Sequence, residues 1–141
     1  MTECILAVDI GTTSLKIGLI SMKGDLVSLA TARNLQKDAR FCGSNWLQTL
    51  RFAFNKLKNK SECNIIGMCV SGNGPTVVTE NGLTIRWDEE TPIPEDFAEK
   101  ENPLIKFSLF LPKILHLKNN FPKEFEKSKY IFSGPEYVLY Q

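Results

Sequence analysis

The apolar positions fall first into three short runs separated by compact polar breaks: Ile5 to Val8, Leu15 to Ile20, and Leu26 to Ala30. Each run has the length of a strand, and Lys23-Gly24-Asp25 between the second and third is a tight-turn signature. The first run is continuously apolar, which predicts a strand buried on both faces. The second and third are mixed, which places them nearer an edge or a half-covered face. After a polar stretch the period changes. Trp46, Leu47, Leu50, Phe54 and Leu57 recur at three- and four-residue spacing and predict a helix, with Ser44 or Asn45 available as its cap. Lys56, Lys58 and Lys60 then lie at the negative end of its dipole, a solvated helix end.

Asn64 to Val70 (NIIGMCV) predicts another buried strand, followed by a loop over Ser71-Gly72-Asn73-Gly74-Pro75. Thr76 to Thr79 and Leu83 to Trp87 flank Glu80-Asn81-Gly82 as the arms of a hairpin. WDEETPIPEDFAEKENP holds seven acidic residues and three prolines and reads as a solvated surface loop. A second helix is expected from about Pro103 to Asn119, with Phe107, Phe110, Leu111, Ile114, Leu115 and Leu117 on its apolar face. Pro112 inside that pattern requires a kink or a later start. The closing SGPEYVLYQ opens like a helix with proline in its first turn, yet stops after barely two turns. Three strands followed by helix, strand and helix predict an α/β domain with a mixed sheet.

A length of 141 residues admits one domain with a real core. With 17 Lys+Arg against 16 Asp+Glu the formal net charge is +1, so no global field recruits nucleic acid or an anionic membrane. A small-molecule partner is the expectation. The N-terminus lacks a basic segment leading into a long apolar stretch, and no run reaches membrane-spanning length, so a soluble, cytoplasmic protein is expected. Cys4, Cys42, Cys63 and Cys69 never fall in a C-x-x-C spacing and read as buried reduced thiols rather than zinc ligands or disulfides.

The chemistry concentrates in DIGTTSLK, between the first two apolar runs. One reading is structural: Gly11 permits the turn, while Asp9, Thr12 and Thr13 satisfy loop backbone groups through their own side chains. The other is functional. The loop leaves a strand and returns at once into another, so its N–H groups and hydroxyls converge where a phosphate tail could lie. Asp9 can then hold a hydrated Mg²⁺, Thr12, Thr13 and Ser14 can donate to phosphate oxygens, and Lys16 can offset charge. No G-x-x-x-x-G-K-[ST] occurs in the chain, and Gly72-x-Gly74 lacks the third glycine of a dinucleotide fingerprint.

ILAVDIGTTSLKIGLISMKGDLVSLA resembles the first phosphate-binding hairpin of the actin, hexokinase and heat-shock ATPase superfamily, and most closely that of the FGGY carbohydrate kinases. NIIGMCVSGNGPTVV is similar to their strand and sugar-contacting loop, and LFLPKILHLKNNFPKEFEKSKYIFSGPEYVLYQ to their helix-loop-helix segment, so the resemblance spans the chain in order. It implies a ribonuclease H-like, actin-like ATPase domain, incomplete at its C-terminus, in which residues 1–141 are the N-terminal part of an FGGY kinase domain. Asp9, Gly11, Thr12, Thr13, Ser14 and Lys16 would face the terminal phosphates of ATP, with Mg²⁺ held by Asp9 through water. Asn73, Gly74 and Trp87 would contact a small sugar or polyol. The family's catalytic carboxylate and adenosine-binding segments would lie beyond Gln141, leaving apolar surface that favours self-association, a homodimer being the simplest form.

The departures are specific. Where xylulose kinases carry Gln-Met-His-Gly and glycerol kinases Asn-Gln-Arg-Glu, this chain has only SGNGPT, which counts against both substrates. Trp87-Asp88 matches part of a W-x-D-x-R stretch, but no arginine follows. Asn73 serves equally as sugar contact or loop cap. Trp46 fits the helix stripe and His116 a packed helix position. A kinase acting on a sugar or polyol hydroxyl is the first expectation, and a non-catalytic sugar- or nucleotide-binding regulator of the same fold is the alternative.

Overall fold

The computed structural model describes residues 1–34, 40–72, 74–93 and 108–141. The three leading apolar runs become β1 (Thr2–Ile10), β2 (Ser14–Ser21) and β3 (Leu26–Arg33), an antiparallel meander. Its second turn places Gly24 at φ +91°, a left-handed conformation open to glycine without strain. Next come α1 (Cys42–Lys56), a short 3₁₀ turn at Lys60–Glu62, and β4 (Cys63–Gly72), which pairs parallel to β1. The resulting sheet has the order β3-β2-β1-β4 and is mixed, as the element order predicts.

A second, antiparallel sheet has the order β6-β5-β7, formed by β5 (Val77–Thr79), β6 (Thr84–Ile85) and β7 (Ile131–Ser133). Helices α2 (Leu111–Asn120), α3 (Pro122–Lys127) and α4 (Gly134–Tyr140) complete the described elements. Pro112 lies in the first turn of α2, where its missing N–H costs nothing, so the start is later than the apolar pattern alone suggests. Residues 103–107 of the expected helix and the acidic stretch from residue 94 lie outside the described residues. SGPEYVLY folds as expected, and its first turn is a capping box. The Ser133 hydroxyl accepts from the Glu136 N–H, and the Glu136 carboxylate accepts from the Ser133 N–H at 2.8 Å.

One face of the larger sheet is dry. Alternate residues Cys4, Leu6, Val8 and Ile10 of β1, Leu15, Ile17 and Leu19 of β2, and Ala30 and Ala32 of β3 are buried against Trp46, Ala53 and Leu57 of the α1 segment and Tyr137 and Val138 of α4. Trp46 is thus a core residue, as its place in the helical stripe implies. Leu117 joins Val77, Leu83 and Ile85 in a second cluster, on which Ile114 and Phe121 pack.

Three sequence expectations fail for identifiable reasons. β1 is fully buried on one face only: on the other, Ile5 and Ala7 are half-buried and Asp9, just beyond the apolar run, is exposed. β4 is largely exposed, with Ile66 at 48% and Met68 at 40%, because it is the edge of the sheet and α4 covers only part of it. Cys69 is exposed with it, whereas Cys4 and Cys63 are buried free thiols and Cys42 is half-buried. Contact with Cys63 and burial push the Cys4 thiol up to about 11, so it stays protonated. Finally, α1 begins two to three residues before the expected caps, and Phe41 precedes it without a side-chain capping bond.

Candidate functional site

The β1–β2 connection is closed by the Gly11 N–H, which donates to the Ser14 carbonyl at 3.0 Å. A Cβ at position 11 would lie 2.6 Å from that oxygen, so closure of the turn alone demands glycine there. What satisfies the loop is a residue from the far end of the meander. Asn34, directly after β3, donates through Nδ2 to the carbonyls of Gly11 at 2.9 Å and Thr12 at 3.1 Å, and through its backbone N–H to the Thr13 carbonyl at 3.0 Å. Three successive carbonyls therefore turn towards Asn34. Because a trans peptide holds its C=O and N–H antiparallel, the N–H groups of Thr12 and Thr13 turn the other way.

The polar side chains of the hairpin share the uncovered face of the sheet. Asp9 stands opposite Lys16 on β2 and Ser71 on β4, Lys16 opposite Thr31 on β3, and Ser14 opposite Arg33. Side chains directly opposite one another project from the same face, so Ser71, Asp9, Lys16 and Thr31 form one polar row and Ser14 and Arg33 a second beside it. Asp9, Thr12, Thr13, Lys16, Thr31 and Arg33 are exposed, and Ser14 is half-buried. Among the described residues no hydrogen bond or ion pair engages the side chains of Asp9, Thr13, Lys16 or Arg33. Thr13, Ser14, Thr31, Arg33 and Asn34 line an open hollow of about 670 Å³. The Asn34 side-chain oxygen is buried and unpartnered among the described residues.

Trp87 reaches the same loop from a remote part of the chain. Its indole N–H donates to Thr12 Oγ1 at 3.3 Å, although the two residues are 75 positions apart. Gly74, at φ +29°, abuts it: a Cβ there would lie 3.3 Å from Trp87 Cβ. The loop carrying Trp87 is fixed on several sides. Arg86 pairs with Asp88, whose carboxyl it holds below the usual carboxylate range; Glu89 pairs with Arg40 at 3.2 Å and accepts from the Arg86 N–H at 2.8 Å. The buried Lys113 ammonium donates to the Glu89 carbonyl at 2.9 Å. Burial pushes Lys113 below the ordinary lysine pKa, with Glu89 and Asp88 partly opposing the shift. The arginine pairing with Asp88 thus precedes Trp87 instead of following Asp88.

The structure therefore brings Asp9, Gly11, Thr12, Thr13, Ser14 and Lys16 together with Gly74 and Trp87, the two groups meeting at Thr12. Asn73 lies outside the described residues. His116 is half-buried on α2, its ring 6.3 Å from that of Phe121. Sequence reasoning missed Arg33 and Asn34. Extending the register outward from the Lys23-Gly24-Asp25 turn would set Asn34 opposite Thr12; an irregularity between Leu19 and Ile20 shifts the pairing by one residue, so that Ser14 faces Arg33, and no local sequence signal discloses it.

No described helix is long and apolar enough to cross a membrane. No family model matches the sequence, and no curated protein matches it. The fold itself has clear counterparts. A xylulose kinase from Bifidobacterium adolescentis superposes with a TM-score of 0.73 at 16% identity, over 99% of this chain and 34% of that one. A xylulose kinase from Rhodospirillum rubrum gives 0.73 at 18% identity, over 96% and 34%. A Plasmodium falciparum glycerol kinase solved with ADP gives 0.67 at 18% identity, over 99% and 34%. The chain spans about a third of the length of the kinases it matches. Identities this low establish architecture: the chain has the actin-like ATPase fold of the FGGY carbohydrate kinases, over the third of those enzymes that it matches.

Proposed function

We propose that this chain supplies the phosphate-binding wall of an ATP-dependent kinase acting on a hydroxyl of a small sugar or polyol. The observation that carries the reading is the division of labour in DIGTTSLK. If the segment were only a turn, its own side chains would satisfy its backbone; instead Asn34 takes the carbonyls, leaving Asp9, Thr13 and Lys16 uncommitted on one open face. That arrangement fits the terminal phosphates of a nucleotide. Outward N–H groups and hydroxyls donate to phosphate oxygens, Lys16 offsets their charge, and a low-lying glycine turn keeps bulk away.

Among the described residues no group of three or more His, Cys, Asp or Glu could hold a metal. A lone exposed carboxylate fits Mg²⁺ instead, which keeps most of its waters and binds through one or two carboxylates plus substrate phosphates. Asp9 would hold it through water, and the ion would supply neutralisation of charge developing on the phosphate oxygens. Trp87 and Gly74 form the acceptor side, with Asn73 as the remaining acceptor contact. The hydrogen bond from Trp87 to Thr12 links the proposed acceptor wall to the phosphate loop, which supports reading the two as one site. No residue in this cluster is placed as general base, and the chain by itself is expected to show no turnover, since phosphoryl transfer requires nucleotide, metal and acceptor held in line.

Steady-state kinetics of the protein containing this chain, with ATP, Mg²⁺ and a panel of ketoses, polyols and sugar acids, tests the reading. Asp9→Asn is expected to lower kcat by about 10²–10³-fold, the scale for removing a preorganised charge-stabilising group. Asn73→Ala is expected to raise KM chiefly, because sugar hydroxyls are bound in the ground state too. Near-normal kcat in Asp9→Asn would show that DIGTTSLK is only a turn.

A further inference from the structure

Arg33 has no role in the reading above, yet the meander builds it into the same wall. It is the last residue of β3, stands opposite Ser14, and projects from the face that carries Lys16 and Asp9. Asn34, the next residue, is tied by three hydrogen bonds to the phosphate loop, so the end of β3 cannot drift from it without breaking them. Arg33 is therefore held in register beside Ser14, on an edge strand that would otherwise be free to fray.

The charge environment is equally specific. Arg40 and Arg86 are committed to Glu89 and Asp88, whereas Arg33 has no acidic partner among the described residues. It lines the hollow of about 670 Å³ with the hydroxyl-bearing Thr13, Ser14 and Thr31, and Lys16 is the cross-strand partner of Thr31. The guanidinium and the ammonium lie two residues apart on neighbouring strands, Lys16 also facing the Asp9 carboxylate across the β1–β2 pair. An anion with several oxygens can accept from both cations.

We propose that Arg33 is a further phosphate-binding residue, so that the nucleotide's polyphosphate tail is gripped between the β1–β2 loop and the end of β3, with Lys16 and Arg33 as its two cationic contacts. The inference rests on the hairpin being a phosphate site and adds to it a second strand and a planar, bidentate donor. Arginine suits the position because its fork can hold two oxygens of one phosphate or bridge two adjacent phosphates, which a lysine point charge cannot.

The test uses this 141-residue chain and inorganic tripolyphosphate, which carries the phosphate chemistry without base or ribose, with MgATP in parallel. Calorimetric or NMR titration is expected to give affinity that falls about tenfold in Arg33→Gln, the loss of one charge-assisted contact. Arg33→Lys is expected to recover only part of it, and Lys16→Gln to lose at least as much as Arg33→Gln. Arg33 is exposed, so all these variants are expected to keep the dispersed amide spectrum of the folded chain. Unchanged affinity in Arg33→Gln, with loss in Lys16→Gln, would overturn this inference and leave the hairpin reading standing. Failure of the unsubstituted chain to bind tripolyphosphate or MgATP would overturn both.

Discussion

Asn34→Ala isolates the contact that shapes the phosphate loop. The substitution removes two side-chain hydrogen bonds, to Gly11 O at 2.9 Å and Thr12 O at 3.1 Å, and leaves the backbone bond to Thr13 O in place. A net value of about 0.5–1.5 kcal/mol for each bond puts the loss at about 1–3 kcal/mol. Deleting the unpartnered, buried Asn34 oxygen returns some desolvation energy, so the lower half of that range is expected. For a domain of this size that corresponds to a fall in Tm of roughly 3–10 °C. Asn34→Asp is nearly isosteric but replaces the donor with a second acceptor facing two carbonyls, and is expected to be worse than alanine. Urea unfolding gives the stability, and amide hydrogen exchange locates the change. Exchange is expected to accelerate at Gly11, whose N–H closes the turn, while the core of β1 and β2 is little altered. Unchanged stability and unchanged exchange at Gly11 would refute the claim that Asn34 holds the loop.

Three further outcomes follow from other contacts. The Ser133–Glu136 capping box holds the Glu136 carboxyl below its ordinary pKa of 4.5, chiefly through the Ser133 N–H. Its contribution is therefore complete above pH 4.5 and is lost as pH falls through the native value, so acid titration of Glu136→Gln is expected to show a shallower loss of stability. Ser133→Ala is expected to cost about 1 kcal/mol by chemical denaturation, with fraying confined to α4. For Lys113, burial lowers the native pKa below 10.5, so the unfolded chain binds more protons and stability rises with pH between the two values. Lys113→Met is expected to lack that rise; an identical pH profile for the two proteins would contradict the burial account.

The meander, the helix over Trp46 and the capping helix at the C-terminus were legible because their signals are local: short apolar runs broken by a turn at Lys23-Gly24-Asp25, apolar residues at three- and four-residue spacing from Trp46, and the proline in the first turn of SGPEYVLYQ. The exposure of β4 was not. NIIGMCV has the composition of an interior strand, and only the strand order, fixed by parallel pairing with residues some sixty positions away, makes it an edge. The candidate site divides in the same way. DIGTTSLK announces itself through three consecutive hydroxyls after a carboxylate, whereas Arg33 and Asn34 resemble an ordinary charge and turn residue at a strand end. Their position beside the loop exists only once β3 has folded back along β2. Trp87 could be suspected as an aromatic wall, but its bond to Thr12 spans separate sheets and leaves no trace in any sequence window.

Residue-resolved NMR titration of this chain with MgATP decides whether the β1–β2 hairpin is a metal-assisted phosphate site. Amide shifts are expected to concentrate at Thr12, Thr13, Ser14 and Lys16 and to weaken when Mg²⁺ is chelated, and Asp9→Asn is expected to abolish this Mg²⁺ dependence while the fold is retained. Shifts that avoid residues 9–16, or that appear identically with and without Mg²⁺ in both proteins, would contradict such a site.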